Sequence, residues 1–417
     1  MTEGFFSILR NKDFSKIWLA QMLSQLSLNM INFALILRIY GLTGSTTSVS
    51  LVLLASALPS VLLGPFSGVI ADRLNYKSIL TYTNVLRFIA VLMIIFANGN
   101  TLAVLEVLFV MNIITQFFAP AESSSFPLIV KKDHLLHANS FSMSTLYATI
   151  LIGYSIAGPL FAYLGSTIFF IICAFMYLIS AFLVFNMSDY DKKNVRYLTL
   201  ITFASDIASV WNETKEGIKY IFQDKKVLAP LIKMAVGWMV LGSFIVLLPG
   251  FGETVLNIAA AHVGWSIIGP AGMGMVIGAY LLQRRGQRLD KGLTVDSGFM
   301  FVSIGLLILL LYPLYGHYNI SIPVMVAMTV AIGIGMAMIY IASQTMLHIN
   351  SEQKLRGRVF GISSMLVNLA MTVPAIFIGG LADFTTPLIT MGIIVLFLLS
   401  YSIYNYFSSP GFTKRSV

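Results

Sequence analysis

Charge is what this sequence has least of. Acidic and basic residues make up 10% of its 417 positions, where soluble domains carry about 25%, while 57% of positions are hydrophobic and the mean hydropathy is +0.85. A chain so poor in charge cannot clothe itself for water, which excludes a soluble enzyme or a soluble binding module. Cysteine is reduced to Cys173, so no intrachain disulfide and no paired-cysteine metal site can form. There is no GxxxxGK[ST] loop to cradle ATP phosphates and no HExxH pair to hold zinc. The five histidines do not cluster in sequence, and no nucleophile or acid–base pair stands at one depth. The sequence therefore calls for no metal, no cofactor and no catalysed reaction, and it is not that of a one-chain ATP-driven pump.

What is present is a series of apolar runs, at about residues 15–37, 48–71, 79–98, 102–119, 143–164, 167–186, 229–250, 262–282, 295–315, 321–347, 359–380 and 386–407. Each is close to the ~20 residues a spanning helix needs. Lipid offers backbone amides no partner, and the short alternating segments of a barrel are absent, so the fold class predicted is all-α and polytopic, with twelve transmembrane helices. The first run is too long for the apolar core of a signal peptide and no A-x-A site follows it, so it reads as a retained helix.

The net charge of +9 reflects topology rather than a nucleic-acid partner. With the N-terminus placed inside, all of the 26 Lys and Arg except Arg38, Arg87 and Lys233 fall on one side of the runs. The positive-inside rule then predicts both termini in the cytoplasm. Two six-helix halves follow, an N-terminal bundle over residues 1–186 and a C-terminal bundle over 229–417. They are joined by a cytoplasmic segment, 187–228, in which Leu200 to Gln223 reads as amphipathic helix with Trp211, Ile218 and Ile221 against membrane or bundle.

Polar residues inside the runs are the candidate site. Gln21, Gln25, Asn29 and Asn32 recur at i, i+4, i+8 and i+11 and form one stripe on the first helix. Amides are costly against hydrocarbon, so the stripe either lines a wet substrate cavity or makes interhelical hydrogen bonds. Asn112 and Gln116 share a face of the fourth run. Tyr340, Gln344 and His348 follow the same period on the tenth, and Ser364, Asn368 and Thr372 on the eleventh, and both stripes are expected to face inward. A tight Asn98-Gly99-Asn100 turn places Arg87 at mid-membrane opposite Asn112, and Glu106 six residues higher, about 9 Å at helical rise. A buried arginine marks either a site or a scaffold tie, here to Asn112 or through water to Glu106. Glu106 reads as the one carboxylate clearly inside a run, either a proton carrier or an interfacial acid open to water, and it and Arg87 are the proton-coupling candidates. Lys233, one turn into the seventh run, is expected to snorkel to the cytoplasm. Pro120 and Pro127 are expected to end the fourth helix and bend the chain.

Several motifs carry a resemblance. Gly68-Val-Ile-Ala-Asp72-Arg73-Leu-Asn-Tyr-Lys77, between the second and third runs, resembles the loop between helices 2 and 3 of the major facilitator superfamily, and Gly278 to Gly286 repeats its glycine and basic residues in the second half. Phe117 to Pro127 with His137-Ala138-Asn139-Ser140, and Leu355-Arg356-Gly357-Arg358-Val359-Phe360-Gly361, resemble the macrolide-efflux and siderophore-exporter branch. Gly153, Gly158 and Pro159 resemble the glycine-proline motif that kinks helix 5 of the superfamily's antiporters.

The resemblance implies two bundles rocking about a central cavity to export an amphipathic or lipophilic small molecule, with protons as the coupling ion. It implies a monomer in a bacterial cytoplasmic membrane. It assigns Gln21, Gln25, Asn29, Asn32, Asn112, Gln116, Tyr340 and Gln344 to that cavity. It assigns Gly68, Asp72, Arg73, Lys77, Arg356 and Arg358 to an inner gate, where Arg73 would bridge to Glu122. An importer or lipid flippase on the same scaffold, and a non-transporting sensor or assembly subunit, stay open.

Overall fold

Asn11, Asn75, Asn100, Asp224 and Asp290 each accept a hydrogen bond on the side-chain oxygen from a backbone amide two or three residues on, and each opens a helix. These caps satisfy amides that the first helical turn leaves bare, so a short polar residue ahead of an apolar run fixes where the helix starts. The computed structural model describes residues 8–97, 99–131, 134–190, 200–285, 289–311, 322–353 and 355–408. Among the described residues all regular structure is helical.

The helices are α1 (Lys12–Thr43), α2 (Thr46–Arg73), α3 (Tyr76–Phe96), α4 (Thr101–Thr115), α5 (Phe118–Ile129), α6 (Leu135–Phe185), α7 (Leu200–Gln223) and α8 (Lys225–Thr254). A short turn, Ala260–Val263, and a π-helical turn, Gly264–Ile268, lead into α9 (Gly269–Arg285). There follow α10 (Lys291–Leu311), α11 (Ile322–Asn350), α12 (Arg356–Phe384) and α13 (Pro387–Ser408).

Eleven helical stretches among the described residues are long and apolar enough to cross a bilayer, the fourth of them made of α4 and α5 together. One of them, α6, holds two spans, because Gly165 interrupts it at φ 74° and ψ 163°, a conformation open in practice to glycine alone. The boundary matches the sequence expectation of one run ending at 164 and the next starting at 167. The fourth run does not end at its prolines. Helix α5 continues through Pro120 and Pro127 to Ile129, and the break falls earlier, at Gln116 and Phe117. The ring of Pro120 would clash with the carbonyl of residue 116 in a continuous helix, so the chain breaks there and Pro120 sits in the first turn of the next helix, where a missing N–H costs nothing.

The chain forms two compact units, residues 1–35 with 55–212 and residues 36–54 with 213–417. In the first, Phe14, Ile17, Tyr76, Phe118, Phe126 and Phe141 from α1, α3, α5 and α6 make one core cluster. In the second, α10 packs on α11 and α13 around Phe299, Val302, Leu306, Met336 and Leu398. Small residues set the helix spacing there. A Cβ on Gly333 would lie 1.8 Å from the Ala271 carbonyl oxygen, and one on Gly242 would lie 2.0 Å from that of Met371. Large apolar side chains such as Phe96, Tyr163 and Phe384 stand exposed, as a chain solvated by lipid requires.

Candidate functional site

The amide stripe of α1 is turned into the first unit. Gln21 and Asn29 are buried, Gln25 and Asn32 half-buried. Gln21 Nε2 donates to Ser142 Oγ at 2.8 Å, and the Ser142 hydroxyl in turn points to Glu122 Oε1 at 3.5 Å. Ser24 donates to Asn84 Oδ1 at 2.7 Å, and Ser56 to Asn32 Oδ1 at 3.3 Å. Gly153 lets α6 approach this face, since a Cβ there would meet Asn29 Cβ at 2.7 Å. Helical dihedrals run on through Gly158 and Pro159 and break only at Gly165. Both readings of the stripe find a basis: several amides make interhelical bonds, while Gln21 Oε1 and Asn29 Nδ2 have no partner among the described residues.

Arg87 and Glu106 are not brought together. Arg87 is 1% exposed, with its guanidinium carbon 4.8 Å from the Phe118 ring centre and 5.7 Å from that of Tyr177. Its Nε and Nη2 have no hydrogen-bond partner among the described residues, so aromatic faces rather than an anion hold the cation. Glu106, expected as a buried charge, is exposed. The reason is helical phase: Glu106 lies with exposed Leu102 and Val110, whereas Val104, Leu108, Met111 and Asn112 form the buried face of α4. Asn112 donates to the Leu108 carbonyl and Gln116 to that of Asn112. Glu106 is also not the one carboxylate inside a run, for Glu122 and Asp296 are both buried within helices.

The polar loops of the first unit converge on the end of α6. Lys77 Nζ donates to the Met187 carbonyl at 2.6 Å, where the last carbonyls of a helix favour a cation. Asn75 caps α3 and donates to Asp189, while Tyr190 donates to Asp13 at 2.9 Å. Burial, and then the Asp13 carboxylate, push the Tyr190 phenol above its ordinary range, so it remains a donor. Gly68 lies within α2. The side chains of Asp72 and Arg73 lie outside the described residues, and with them the expected bridge to Glu122.

In the second unit, Arg358 pairs with Glu216 at 2.6 Å and Glu213 at 3.5 Å, which ties the N-terminus of α12 to α7. Arg356 donates to the Ser351 carbonyl. On α7, Ile221 is buried in the bundle while Trp211 and Ile218 are exposed. Tyr340 packs edge-on against Trp238 with ring centres 6.0 Å apart and accepts a hydrogen bond from Gln344, and His348 packs on Phe360. Of the stripe on α12, Thr372 is buried, Asn368 half-buried and Ser364 exposed, and the stripe on α11 ends in exposed His348. Lys233 does not snorkel free: it is ion-paired to Asp296 of α10. The partner was hidden in the sequence because Asp296 stands at the edge of an apolar run, 63 positions away.

The family model described as Major Facilitator Superfamily matches residues 17–313. The putative bacilysin exporter BacE of Bacillus subtilis (strain 168) is 26% identical over 380 residues, covering 87% of this chain and 86% of its own. Macrolide efflux protein A of Streptococcus pyogenes is 25% identical over 395 residues, covering 89% of each. Among solved structures, a bacterial homolog of the human lysosomal transporter Spinster, inward-facing and unoccupied, superposes with a TM-score of 0.72 at 14% identity, over 96% of this chain and 97% of that one. A bacterial homologue of the iron transporter ferroportin, in an inward-facing state, gives 0.72 at 15% identity, over 94% and 98%. At such identities the structures speak for the fold alone. With twelve apolar helices, a match across most of its length and transporter folds beside it, the chain belongs to the Major Facilitator Superfamily.

Proposed function

We propose that this protein is a secondary active exporter of amphipathic or lipophilic small molecules, working by alternating access with protons as the counter-ion. The observation that supports it most is that the alignments to proteins named as exporters run over nearly nine-tenths of both chains. The geometry adds buried amides with open hydrogen-bonding atoms, Gln21 Oε1 and Asn29 Nδ2, in an otherwise apolar setting. A few placed polar groups among apolar walls suit an amphipathic ligand. In this reading Gln21, Gln25, Asn29, Asn32, Asn112, Gln116, Tyr340 and Gln344 contact cargo, and Asp72, Arg73, Lys77, Glu122, Arg356 and Arg358 act at the inner gate. The chain works as a monomer in the cytoplasmic membrane with both termini inside. Glu106 lies on the outer face of α4, away from the buried polar groups, so in this reading the proton-carrying role passes to a buried acid.

The test is erythromycin accumulation in everted vesicles from an efflux-deficient bacterium expressing the protein. Uptake should require an inside-acid pH gradient and should fall in the Gln21→Ala/Asn29→Ala protein at unchanged membrane abundance. Absence of gradient-driven uptake of erythromycin and of the lipophilic cation ethidium by the wild-type protein would overturn the reading.

A further inference from the structure

Asp296 and Lys233 form an ion pair whose two members differ in one respect that decides what the pair can do. Asp296 is wholly buried, whereas the Lys233 side chain keeps 19% of its surface exposed. Asp296 Oδ1 receives Lys233, and Oδ2 has no hydrogen-bond partner among the described residues. A buried ion pair that serves only as a tie stays in place by satisfying its remaining lone pairs, and this one leaves half of the carboxylate bare. Lys233, on a flexible four-carbon stem with part of its surface exposed, can swing away and remain charged. Asp296 cannot follow, and once Lys233 withdraws an uncompensated anion in an apolar interior takes up a proton.

The surroundings fit a site that changes state. The pair joins α8 to α10 across 63 positions of the chain. Tyr401 of α13 lies within electrostatic range of Asp296, and its ring packs on Phe299 one turn along α10. On α11 the two titratable groups look elsewhere, Tyr340 onto Trp238 and His348 onto Phe360. Just ahead of α10, Asp290 is engaged as its cap, accepting from the Leu293 amide. On α8, Trp238 stands five residues beyond Lys233 and packs on Tyr340, which accepts from Gln344.

We propose that Asp296 is the proton-binding site of the transport cycle and Lys233 its movable counter-ion. This deepens the exporter reading and rests on it. In one half-cycle an aqueous proton adds to the Asp296 carboxylate while Lys233, retaining its own proton, turns to water. In the other, Asp296 gives that proton up to the opposite side and Lys233 returns, so that one proton crosses and neither side chain is consumed.

The experiment counts protons bound by purified protein in lipid nanodiscs without cargo, using a pH indicator across an alkaline-to-acid step. Trp238 emission is followed in a background with the other three tryptophans changed to Phe. Wild type should take up one proton more than the Asp296→Asn protein, and its Trp238 signal should titrate where the variant's does not. Should Asp296→Asn fail to fold, Lys233→Met/Asp296→Leu removes both charges at once and should show the same missing proton, with any erythromycin transport no longer responding to the pH gradient. Equal proton counts and equal Trp238 profiles in wild type and either variant would reduce the pair to a structural tie, even with wild-type transport intact. The exporter reading fails separately, if the wild-type protein moves neither probe.

Discussion

Arg87 is a cation held by rings. An ammonium at that position would keep the cost of burial and lose the planar stacking on Phe118 and Tyr177, whereas a methionine would shed the charge and keep the volume. We therefore expect Arg87→Lys to lower the detergent melting temperature more than Arg87→Met does; the reverse order would mean that an anion compensates the charge. Gly153 offers a second test, since a Cβ 2.7 Å from Asn29 Cβ overpacks the α1–α6 contact. Gly153→Val should cost about 1 to 3 kcal/mol of stability, read as lost monodispersity on heating. Glu106→Gln, on the exposed face of α4, should leave erythromycin transport and its pH dependence unchanged. The three differ in how far the sequence discloses them. The glycine is legible as a small residue in a helix and the glutamate as an acid in an apolar run, but which face of the helix each occupies follows from what packs beside it.

At the scale of elements, helix ends are where the chain invests its polar groups. The start of α2 is capped from a distance: Asp383 at the end of α12 accepts from the Thr46 and Thr47 amides at 2.6 and 3.0 Å and from the Ser45 hydroxyl at 2.5 Å. Removing such a cap costs about 0.5 to 2 kcal/mol. Asp383→Ala should therefore lower the melting temperature, with Asp383→Asn intermediate; equal melting of all three would show that the cap carries no stability. Gly165 divides α6, and a Cβ at its dihedral angles is strained by about 1 to 3 kcal/mol. Gly165→Ala should lower both yield and melting temperature, although no neighbouring atom lies within 4 Å of the added carbon. The Arg358 pairs with Glu213 and Glu216 are partly exposed, so a double-mutant cycle should return under about 1 kcal/mol and fade with salt. The run boundary near 165 was legible in the sequence, and the caps at Asn75, Asn100 and Asp224 rest on residues within three positions of the helix start. The Asp383 cap spans 337 positions and leaves no local trace.

For the whole molecule the governing constraint is the bilayer. Lipid accepts no unpaired backbone, so hydropathy alone fixed the helical class and the span count. The uneven placement of Lys and Arg set the expected orientation. With Cys173 buried and changed to Ala, a cysteine placed at Asn100 should be labelled by an impermeant maleimide on intact cells, and one at Ser188 only after permeabilisation. The opposite pattern would invert the topology and the direction of transport argued from it. The amide stripe of α1 was legible too, since a period of 3.6 lies within one helix and polar groups shun hydrocarbon. What periodicity could not reach is which residues meet across helices. Lys233 with Asp296, Arg87 among aromatic rings, and Glu122 behind Ser142 and Gln21 all join helices far apart in the chain. The sequence by itself determined the twelve spans and the polar stripe of α1, because each depends on neighbours within a turn or two. The tertiary structure alone decided which buried charge found a partner, because that depends on the rotation of each helix against the next.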